Sequence, residues 1–385
     1  MKIGIISSMA SMPWGGSEEL WFSLGKVALK EKIEVSVCVF DWDEVPDKIT
    51  KIENLGAKVY FRSRISFSDL RGKIKGKLTQ LFAAEKQLHQ FVKKENPDFL
   101  FVNTGAFCDL EIDSLRAFLL KVNIPFYIVI HSNNDTNSFN YGKISAVRNV
   151  SEKAKKIFFV ADKLRQQAER QLAFNFKNSD IVHNPINMDV FGVLDYLESD
   201  IIQMACVGTI QFAVKGQSLL LQILNSEKWR NRKWVLNIYG TGVDLVLCKE
   251  LIEFFGLSDK IFIKGHVKDI RTDIWSKNHI LLMPSFIEGM PLAMMEAMLC
   301  GRTLVATDVG GVREIVEDEL TGFISQGATY YSFDNALERA WQKKDDWAKM
   351  GENAFNKAMN IYKTDPIPKL LHSMLNDLKD SNKSD

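Results

Sequence analysis

The stretch Ile280-Leu-Leu-Met-Pro-Ser-Phe-Ile-Glu-Gly-Met-Pro-Leu-Ala-Met-Met-Glu296 predicts a buried strand, a turn and the start of a helix. Its first residues form an apolar run that is typical of a buried strand, and the Pro-Ser pair that follows indicates a turn. Pro291 suits the first helical position, because its missing N–H is not needed there and its φ is already helical. The N–H groups of Leu292 and Ala293 then point out of the helix end, where unpaired donors and the helix dipole attract phosphate.

Two carboxylates flank this predicted anion-binding helix start. Glu288 lies just outside it, and Glu296 lies about a turn and a half inside it. The arrangement suits a ligand with phosphate in the middle and hydroxyl groups at both ends, and a nucleotide sugar is such a ligand. A bare pair of glutamates at this spacing is more typical of a solvated helix face. The surrounding Pro-Ser-x-x-Glu-Gly-x-Pro-Leu and Glu-Ala-Met-x-Cys-Gly favour the functional interpretation.

These motifs resemble those of the family 4 glycosyltransferases, a large retaining group with the GT-B fold, whose signature is a Glu-x7-Glu pair. The resemblance implies that Glu288 contacts the donor sugar and that Glu296 binds the ribose hydroxyl groups. It also implies that the helix start holds the donor diphosphate. The residues of that start are Gly289, Met290, Pro291 and Leu292.

The fold class predicted for the chain is α/β, because short apolar runs alternate with longer amphipathic stretches. The expected strands are Ile3–Ser7, Val35–Phe40, Val59–Arg62, Phe99–Asn103, Tyr127–His131, Ile157–Val160, Met204–Gly208, Val235–Tyr239, Ile261–Lys264, Ile280–Pro284 and Leu304–Thr307. At 385 residues, the chain has room for two domains. We expect a first Rossmann-like domain over 1–195, completed by a C-terminal helix from about 358, and a donor domain over 196–357. The GT-B resemblance implies that these domains face each other across a cleft.

The first domain offers two candidate sites at strand ends, where ligands of such folds bind. Gly15 and Gly16 follow the first strand, and Ser17 can cap the next helix. The loop resembles the family's Gly-Gly-x-Glu loop, whose glycine amide faces the donor diphosphate, although an ordinary strand-to-helix turn has a similar sequence. His131 ends the fifth strand, and a lone histidine there is more often structural. The resemblance implies that it lies near the reacting sugar.

In the second domain, Lys215 is a compact cation suited to the charge that develops on a departing diphosphate. Lys215 and Gly216 match the family's Lys-Gly pair, whose lysine holds the phosphates. Thr209 stands where the family most often has an arginine, which removes one charge-assisted contact worth about 1.5–3 kcal/mol. Gln211 is a candidate for partial compensation.

Two further loops of the second domain match the family. Gly310 and Gly311 permit a close approach of the backbone to the donor. The segment Gly265-His-Val267 corresponds to the place where the family reads the nucleotide base with backbone groups, so Val267 is a candidate contact. Because such contacts leave little trace in side chains, the sequence does not separate UDP, GDP and ADP donors.

Composition excludes several other classes of protein. The net charge is +1, so nothing indicates nucleic-acid binding. The five cysteines form no Cys-x-x-Cys pair, and no apolar run is long enough to span a bilayer or to form a signal peptide, so we expect a cytoplasmic protein. Asp41-Trp-Asp43 resembles the Asp-x-Asp metal motif of the other glycosyltransferase fold, but GT-B enzymes typically need no such metal. We therefore expect no metal and no cofactor.

The stretch Arg62–Lys94 holds nine Lys or Arg residues against one Asp and one Glu. It is compatible with a basic amphipathic helix on an anionic membrane. It is also compatible with a solvated helix whose apolar side packs on its own sheet.

The sequence thus predicts metal-independent transfer of a hexosyl unit from a nucleotide diphosphate sugar to a glycan or lipid-linked acceptor, with retention of configuration. Lys215, Glu288 and His131 are the candidate catalytic residues. The alternatives are a phosphorylase or epimerase of the same fold and a non-catalytic protein that binds sugar or nucleotide. Thr209 keeps the last alternative open.

Overall fold

The computed structural model describes residues 1–10, 12–63, 74–136 and 138–381, and for 74–82 and 381 it describes the backbone alone. The chain forms two compact units. Unit 1 consists of Met1–Pro185 and Asp365–Asp385, and unit 2 of Ile186–Thr364.

Unit 1 is built on a parallel sheet of seven strands in the order β3-β2-β1-β4-β5-β6-β7. The strands are β1 Lys2–Ser7, β2 Glu34–Phe40, β3 Lys58–Arg62, β4 Phe99–Thr104, β5 Phe126–Ile130, β6 Lys156–Phe159 and β7 Ser179–Ile181. The helices are α1 Glu18–Lys30, α2 Asp47–Asn54, α3 Ile74–Glu95, α4 Asp113–Lys121, α5 Tyr141–Lys153, α6 Asp162–Leu172 and, after unit 2, α16 Pro366–Ser381. Strands buried on both faces explain the continuous apolar runs, as in β4 and β5.

Unit 2 repeats this architecture with six parallel strands in the order β10-β9-β8-β11-β12-β13. The strands are β8 Ile202–Val207, β9 Trp234–Tyr239, β10 Ile261–Gly265, β11 Ile280–Met283, β12 Thr303–Thr307 and β13 Phe323–Ser325. The helices are α7 Phe212–Lys215, α8 Gln217–Leu224, α9 Glu227–Arg230, α10 Leu245–Phe254, α11 Ile270–Asp273, α12 Leu292–Leu299, α13 Val312–Ile315, α14 Tyr330–Gln342 and α15 Trp347–Ile361. The chain therefore has two Rossmann-like units, and the predicted α/β class is confirmed.

Unit 2 begins about ten residues earlier than the sequence predicts. The segment before residue 196 is held by unit 2, because Gly192 N–H donates to Leu299 O at 3.1 Å and Leu194 N–H donates to Cys300 O at 3.1 Å. The buried Arg302 guanidinium also donates to Asp195 O at 2.8 Å. The sequence does not reveal this boundary, because the hydrogen bonds that fix the segment are accepted by backbone carbonyl groups.

The return of the chain to unit 1 also differs from the prediction of about residue 358. α15 runs to Ile361 within unit 2, and unit 1 resumes at Asp365. The returning helix α16 is anchored on the sheet of unit 1, where Tyr127 Oη–H donates to Met374 O at 3.0 Å and Lys156 pairs with Asp377 at 3.0 Å.

Within the described ranges, no helix combines the length and the apolar character that crossing a membrane requires.

Candidate active site

Three loops of unit 2 meet beyond the carboxyl ends of β8, β11 and β12. The first two are in contact because Phe286 N–H donates to Val214 O at 2.8 Å. Gly216 permits this approach: its φ is +67°, and a Cβ atom there would lie 2.1 Å from Pro284 O. Glycine is required by both observations, since an L side chain would be strained and would also collide with backbone. Lys215 is thereby placed beside the loop after β11.

Lys215 and Glu288 form an ion pair, with 2.7 Å between Nζ and Oε1. Ser285 Oγ–H donates to the same carboxylate oxygen at 2.7 Å. The Glu288 side chain is 8% exposed and that of Lys215 is 26% exposed, so Lys215 is the more accessible member of the pair. Lys215 also ends the short helix α7, where a cation is favoured by the helix dipole. An arriving phosphate can therefore compete with Glu288 for this ammonium.

The third loop supports Glu288 from the other side. Gly311 N–H donates to Gly289 O at 2.7 Å. Gly310 has φ +52°, and a Cβ atom there would lie 2.2 Å from Gly289 O and 2.5 Å from Glu288 O. This glycine is a packing requirement of the Glu288 backbone, whether or not it also approaches a ligand.

Helix α12 follows these loops and begins one residue later than predicted. Pro291 is its N-cap, with an extended ψ of 119°, and Leu292 is the first helical residue. No side chain of the described residues caps this end. The N–H groups of the first turn are therefore available to an anion. Glu296 lies inside the helix and is 7% exposed, near Tyr362, whose pKa is raised by burial and further by the charge of Glu296.

Thr209 lies half-buried after β8, and its carbonyl oxygen accepts a hydrogen bond from Gln217 Nε2 at 2.9 Å. Gln217 is almost completely buried at the start of α8, so it ties this loop to the helix. Gln211 is the N-cap of α7 with an extended backbone. Val267 lies half-buried, two residues after the end of β10.

The other candidates lie in unit 1. Gly15 O and Gly16 O accept hydrogen bonds from Glu18 N–H and Glu19 N–H at 3.0 and 3.4 Å, which forms the turn into α1. The expectation that Ser17 caps this helix was wrong. Ser17 occupies the N-cap position with a helical backbone, and its hydroxyl makes no cap bond.

His131 lies one residue beyond the end of β5 and is 6% exposed. Its Nε2 lies 2.9 Å from Asn103 Oδ1. Burial lowers the pKa of His131 to about 3, although the neighbouring Asn184 offsets part of this effect. The imidazole is therefore neutral near pH 7, so a catalytic role for it is that of a hydrogen-bonding group and not of a cation.

Sequence reasoning missed four polar residues that build these surroundings: Ser285, Gln217, Asn103 and Glu18. Ser285 and Glu18 each lie within a quoted motif. Gln217 and Asn103 carry no motif, because the partner of Gln217 is a backbone carbonyl and the partners of Asn103 are side chains distant in sequence.

No three His, Cys, Asp or Glu side chains are grouped so as to hold a metal ion among the residues that the structure describes.

The predicted basic stretch Arg62–Lys94 lies partly outside the described residues, since 64–73 are not among them. Its described part begins with Arg62, whose guanidinium is buried over the Phe40 ring. It ends in α3, where Lys94 Nζ lies 4.8 Å from the centre of the Tyr60 ring.

Two family models match the chain. The model for glycosyl transferases group 1 matches residues 202–343, and the model for glycosyltransferase family 4 matches residues 14–190. The chain belongs to this family of glycosyltransferases, as the motifs predict.

Curated relatives give the same class. An uncharacterized glycosyltransferase of Haemophilus influenzae is 27% identical over 64% of this chain and 67% of its own length. The chain spans between 24% and 39% of the length of three further curated relatives.

Solved structures share the fold over nearly the whole chain. Sucrose-phosphate synthase of Thermosynechococcus elongatus has a TM-score of 0.76 at 15% identity, with 100% of both chains covered. The Anabaena protein HepE in complex with UDP-glucose has a TM-score of 0.73 at 17% identity, with 98% of this chain and 99% of that chain covered. The predicted GT-B fold is confirmed by these neighbours.

Proposed function

We propose that the chain transfers a hexosyl unit from a nucleotide diphosphate sugar to a glycan or lipid-linked acceptor, with retention of configuration and without a metal ion. The observation that carries the proposal is the pair of Lys215 and Glu288 beside the open start of α12. A cation and free N–H groups suit a diphosphate, and a carboxylate next to them suits sugar hydroxyl groups. The UDP-glucose complex of a protein with the same fold supports a nucleotide-sugar donor.

In this reaction, the bond between the anomeric carbon and the β-phosphate oxygen breaks, and an acceptor oxygen bonds to the same carbon. Negative charge grows on the departing diphosphate. In the proposed mechanism, Lys215 and the first-turn N–H groups of α12 stabilise that charge, and such electrostatic stabilisation is usually the largest single contribution to catalysis. Glu288 orients the sugar, and the Ser285 hydroxyl group holds the Glu288 carboxylate in position. Glu296 binds ribose.

Roles for Gly15, Gly16 and His131 stay predictions, and so does the role of Val267 at the base. Thr209 contributes no charge, so the phosphate contact in this part of the site depends on Lys215.

Thermal stabilisation by UDP, GDP, ADP and their sugar conjugates, without added metal, tests donor binding first. A ligand at a hundred times its dissociation constant stabilises the folded state by about 2.7 kcal/mol. One nucleotide series that stands out supports the proposal and identifies the donor. Incubation of that donor with candidate acceptors then tests transfer, and NMR of the product tests retention. A response to no nucleotide contradicts the proposal and favours a non-catalytic protein.

Contact of Arg62–Lys94 with an anionic membrane, on the cytoplasmic side, is a separate proposal. It predicts co-sedimentation with vesicles that contain phosphatidylserine and not with pure phosphatidylcholine. Lys93→Glu and Lys94→Glu together should weaken that binding, and equal binding to both vesicle types contradicts it.

A further inference from the structure

Asn103 bridges two buried ionisable residues in unit 1. Its Oδ1 lies 2.9 Å from His131 Nε2, and its Nδ2 lies 3.5 Å from Glu18 Oε1. Asn103 itself is fully buried. Asn103 lies in β4, His131 lies one residue beyond the end of β5, and Glu18 is the first residue of α1. All three are at the carboxyl edge of the sheet.

The Glu18 carboxyl group is 2% exposed and is surrounded mainly by neutral donors. Ser7 Oγ–H donates to Oε1 at 2.9 Å, and Trp21 Nε1–H donates to Oε2. The charged groups that act on it are Arg62 and Glu19. These hydrogen bonds each offer a proton to the carboxylate, and at pH 8, above the pKa of about 7 that burial gives Glu18, the carboxyl group is ionised.

An ionised carboxylate accepts hydrogen bonds and cannot donate them. Asn103 must therefore turn its Nδ2–H₂ toward Glu18, which leaves Oδ1 toward the imidazole. Since Oδ1 can only accept, His131 Nε2 must carry the proton. The negative charge of Glu18 thus fixes the direction of both hydrogen bonds in the series Glu18, Asn103 and His131.

We propose that Glu18, acting through Asn103, holds His131 as the neutral tautomer with its proton on Nε2 and a lone pair on Nδ1. Glu18 and Asn103 are then positioning residues. A hydroxyl group of a ligand that meets Nδ1 must then donate a hydrogen bond to it. Only the ligand part of this statement rests on the proposed function.

The tautomer is measured on the free protein, with no donor or acceptor present. Histidine labelled with ¹⁵N and long-range ¹H–¹⁵N correlation distinguish a protonated ring nitrogen from a bare one. The chain has six histidines, and His131→Gln identifies the signals of His131 by their loss. At pH 8, we expect a protonated Nε2 and a bare Nδ1. A proton on Nδ1, or two tautomers in exchange, overturns the proposal.

Two variants test the positioning roles. Glu18→Gln keeps the size of the side chain but can donate to Asn103, so it should allow the amide to turn and shift both ring nitrogens toward averaged values. Asn103→Leu should have the same effect. Asn237→Leu, at a buried asparagine of unit 2, is the matched control and should change nothing at His131.

A single unchanged tautomer in Glu18→Gln overturns the role of Glu18, even if Asn103→Leu fails to fold. Because the readout needs no catalysis, it also separates this inference from the proposed function. An Nε2–H tautomer in a protein that binds no nucleotide would contradict only the proposed function. An active enzyme with an Nδ1–H tautomer would contradict only the inference about His131.

Discussion

Replacing Glu288 by Gln should strengthen nucleotide binding while it slows transfer. In the free protein, the carboxylate holds the Lys215 ammonium at 2.7 Å, so a diphosphate must compete with Glu288 for that cation. Gln keeps an oxygen for the Ser285 hydroxyl group but removes the charge that competes. The ammonium then binds phosphate without first giving up an ion pair.

The size of the effect follows from the exposure of the pair. A hydrogen bond to a charged group is worth about 1.5–3 kcal/mol. The Lys215 side chain is 26% exposed, so water screens part of this interaction. A diphosphate that replaces Glu288 at the ammonium therefore gives up about 1 kcal/mol of ion-pair free energy. That corresponds to roughly fivefold in the dissociation constant of the nucleoside diphosphate. Turnover should fall by more than tenfold, because the carboxylate that orients the sugar in the proposed mechanism is lost.

Calorimetric titration of wild type and Glu288→Gln with the nucleoside diphosphate that binds best measures the first effect, and initial rates at saturating donor measure the second. Glu317→Gln is the matched control. Glu317 pairs with Lys357 at the surface of the same unit, so its loss should change neither quantity. A fall in nucleotide affinity in Glu288→Gln would refute the competition and would mean that the carboxylate itself binds the nucleotide. Unchanged turnover would refute its role at the sugar.

Glu296→Ala should raise the nucleotide dissociation constant about tenfold or more with a smaller change in turnover, since a charge-assisted contact to ribose is lost; unchanged affinity by calorimetry contradicts this role. Gly310→Ala should destabilise the protein by about 1–3 kcal/mol, because φ is +52° and the Cβ atom would lie 2.2 Å from Gly289 O. Gly327→Ala, where a Cβ atom meets nothing within 4 Å, is its control in the same urea titration, and equal midpoints for both variants would refute the packing argument. Burial raises the pKa of Glu18 from an ordinary value of 4.5 to about 7, so the stability that this carboxyl group contributes is complete below pH 4.5 and is lost as the pH rises through 7. Glu18→Gln should therefore gain stability relative to wild type, by up to about 3 kcal/mol, between pH 5 and pH 8, and a constant difference in the urea midpoints would contradict the sign.

The eleven strands expected from apolar runs correspond to strands of the structure, because burial on both faces of a parallel sheet leaves a continuous apolar signature. β7 Ser179–Ile181 and β13 Phe323–Ser325 were missed. Both have three residues and lie at the edge of their sheet, so each contributes too short an apolar run to be recognised.

Two glycines of the predicted motifs have a local structural reason, since the positive φ and the close backbone contacts of Gly216 and Gly310 require glycine. The hydrogen-bond and ion-pair partners of the charged side chains could not be predicted from the sequence. Lys215 and Glu288 are 73 positions apart, and Glu18 and Asn103 are 85 apart, so only the topology of the sheet brings them together. At Ser17, a local sequence signal led to a wrong prediction. Serine is a typical capping residue, but the backbone of Ser17 is helical and its hydroxyl group makes no cap bond.

Glu18 gives unit 1 a carboxyl group that titrates near neutral pH. This carboxyl group is surrounded mainly by neutral donors, and burial raises its pKa to about 7. Protonation between pH 6 and 8 therefore acts on the unit 1 series of Glu18, Asn103 and His131. If His131 serves the transfer step, turnover should rise across this interval in wild type and lose that dependence in Glu18→Gln. A pH dependence that survives in Glu18→Gln would place the titrating group elsewhere and would remove the link between Glu18 and the reaction.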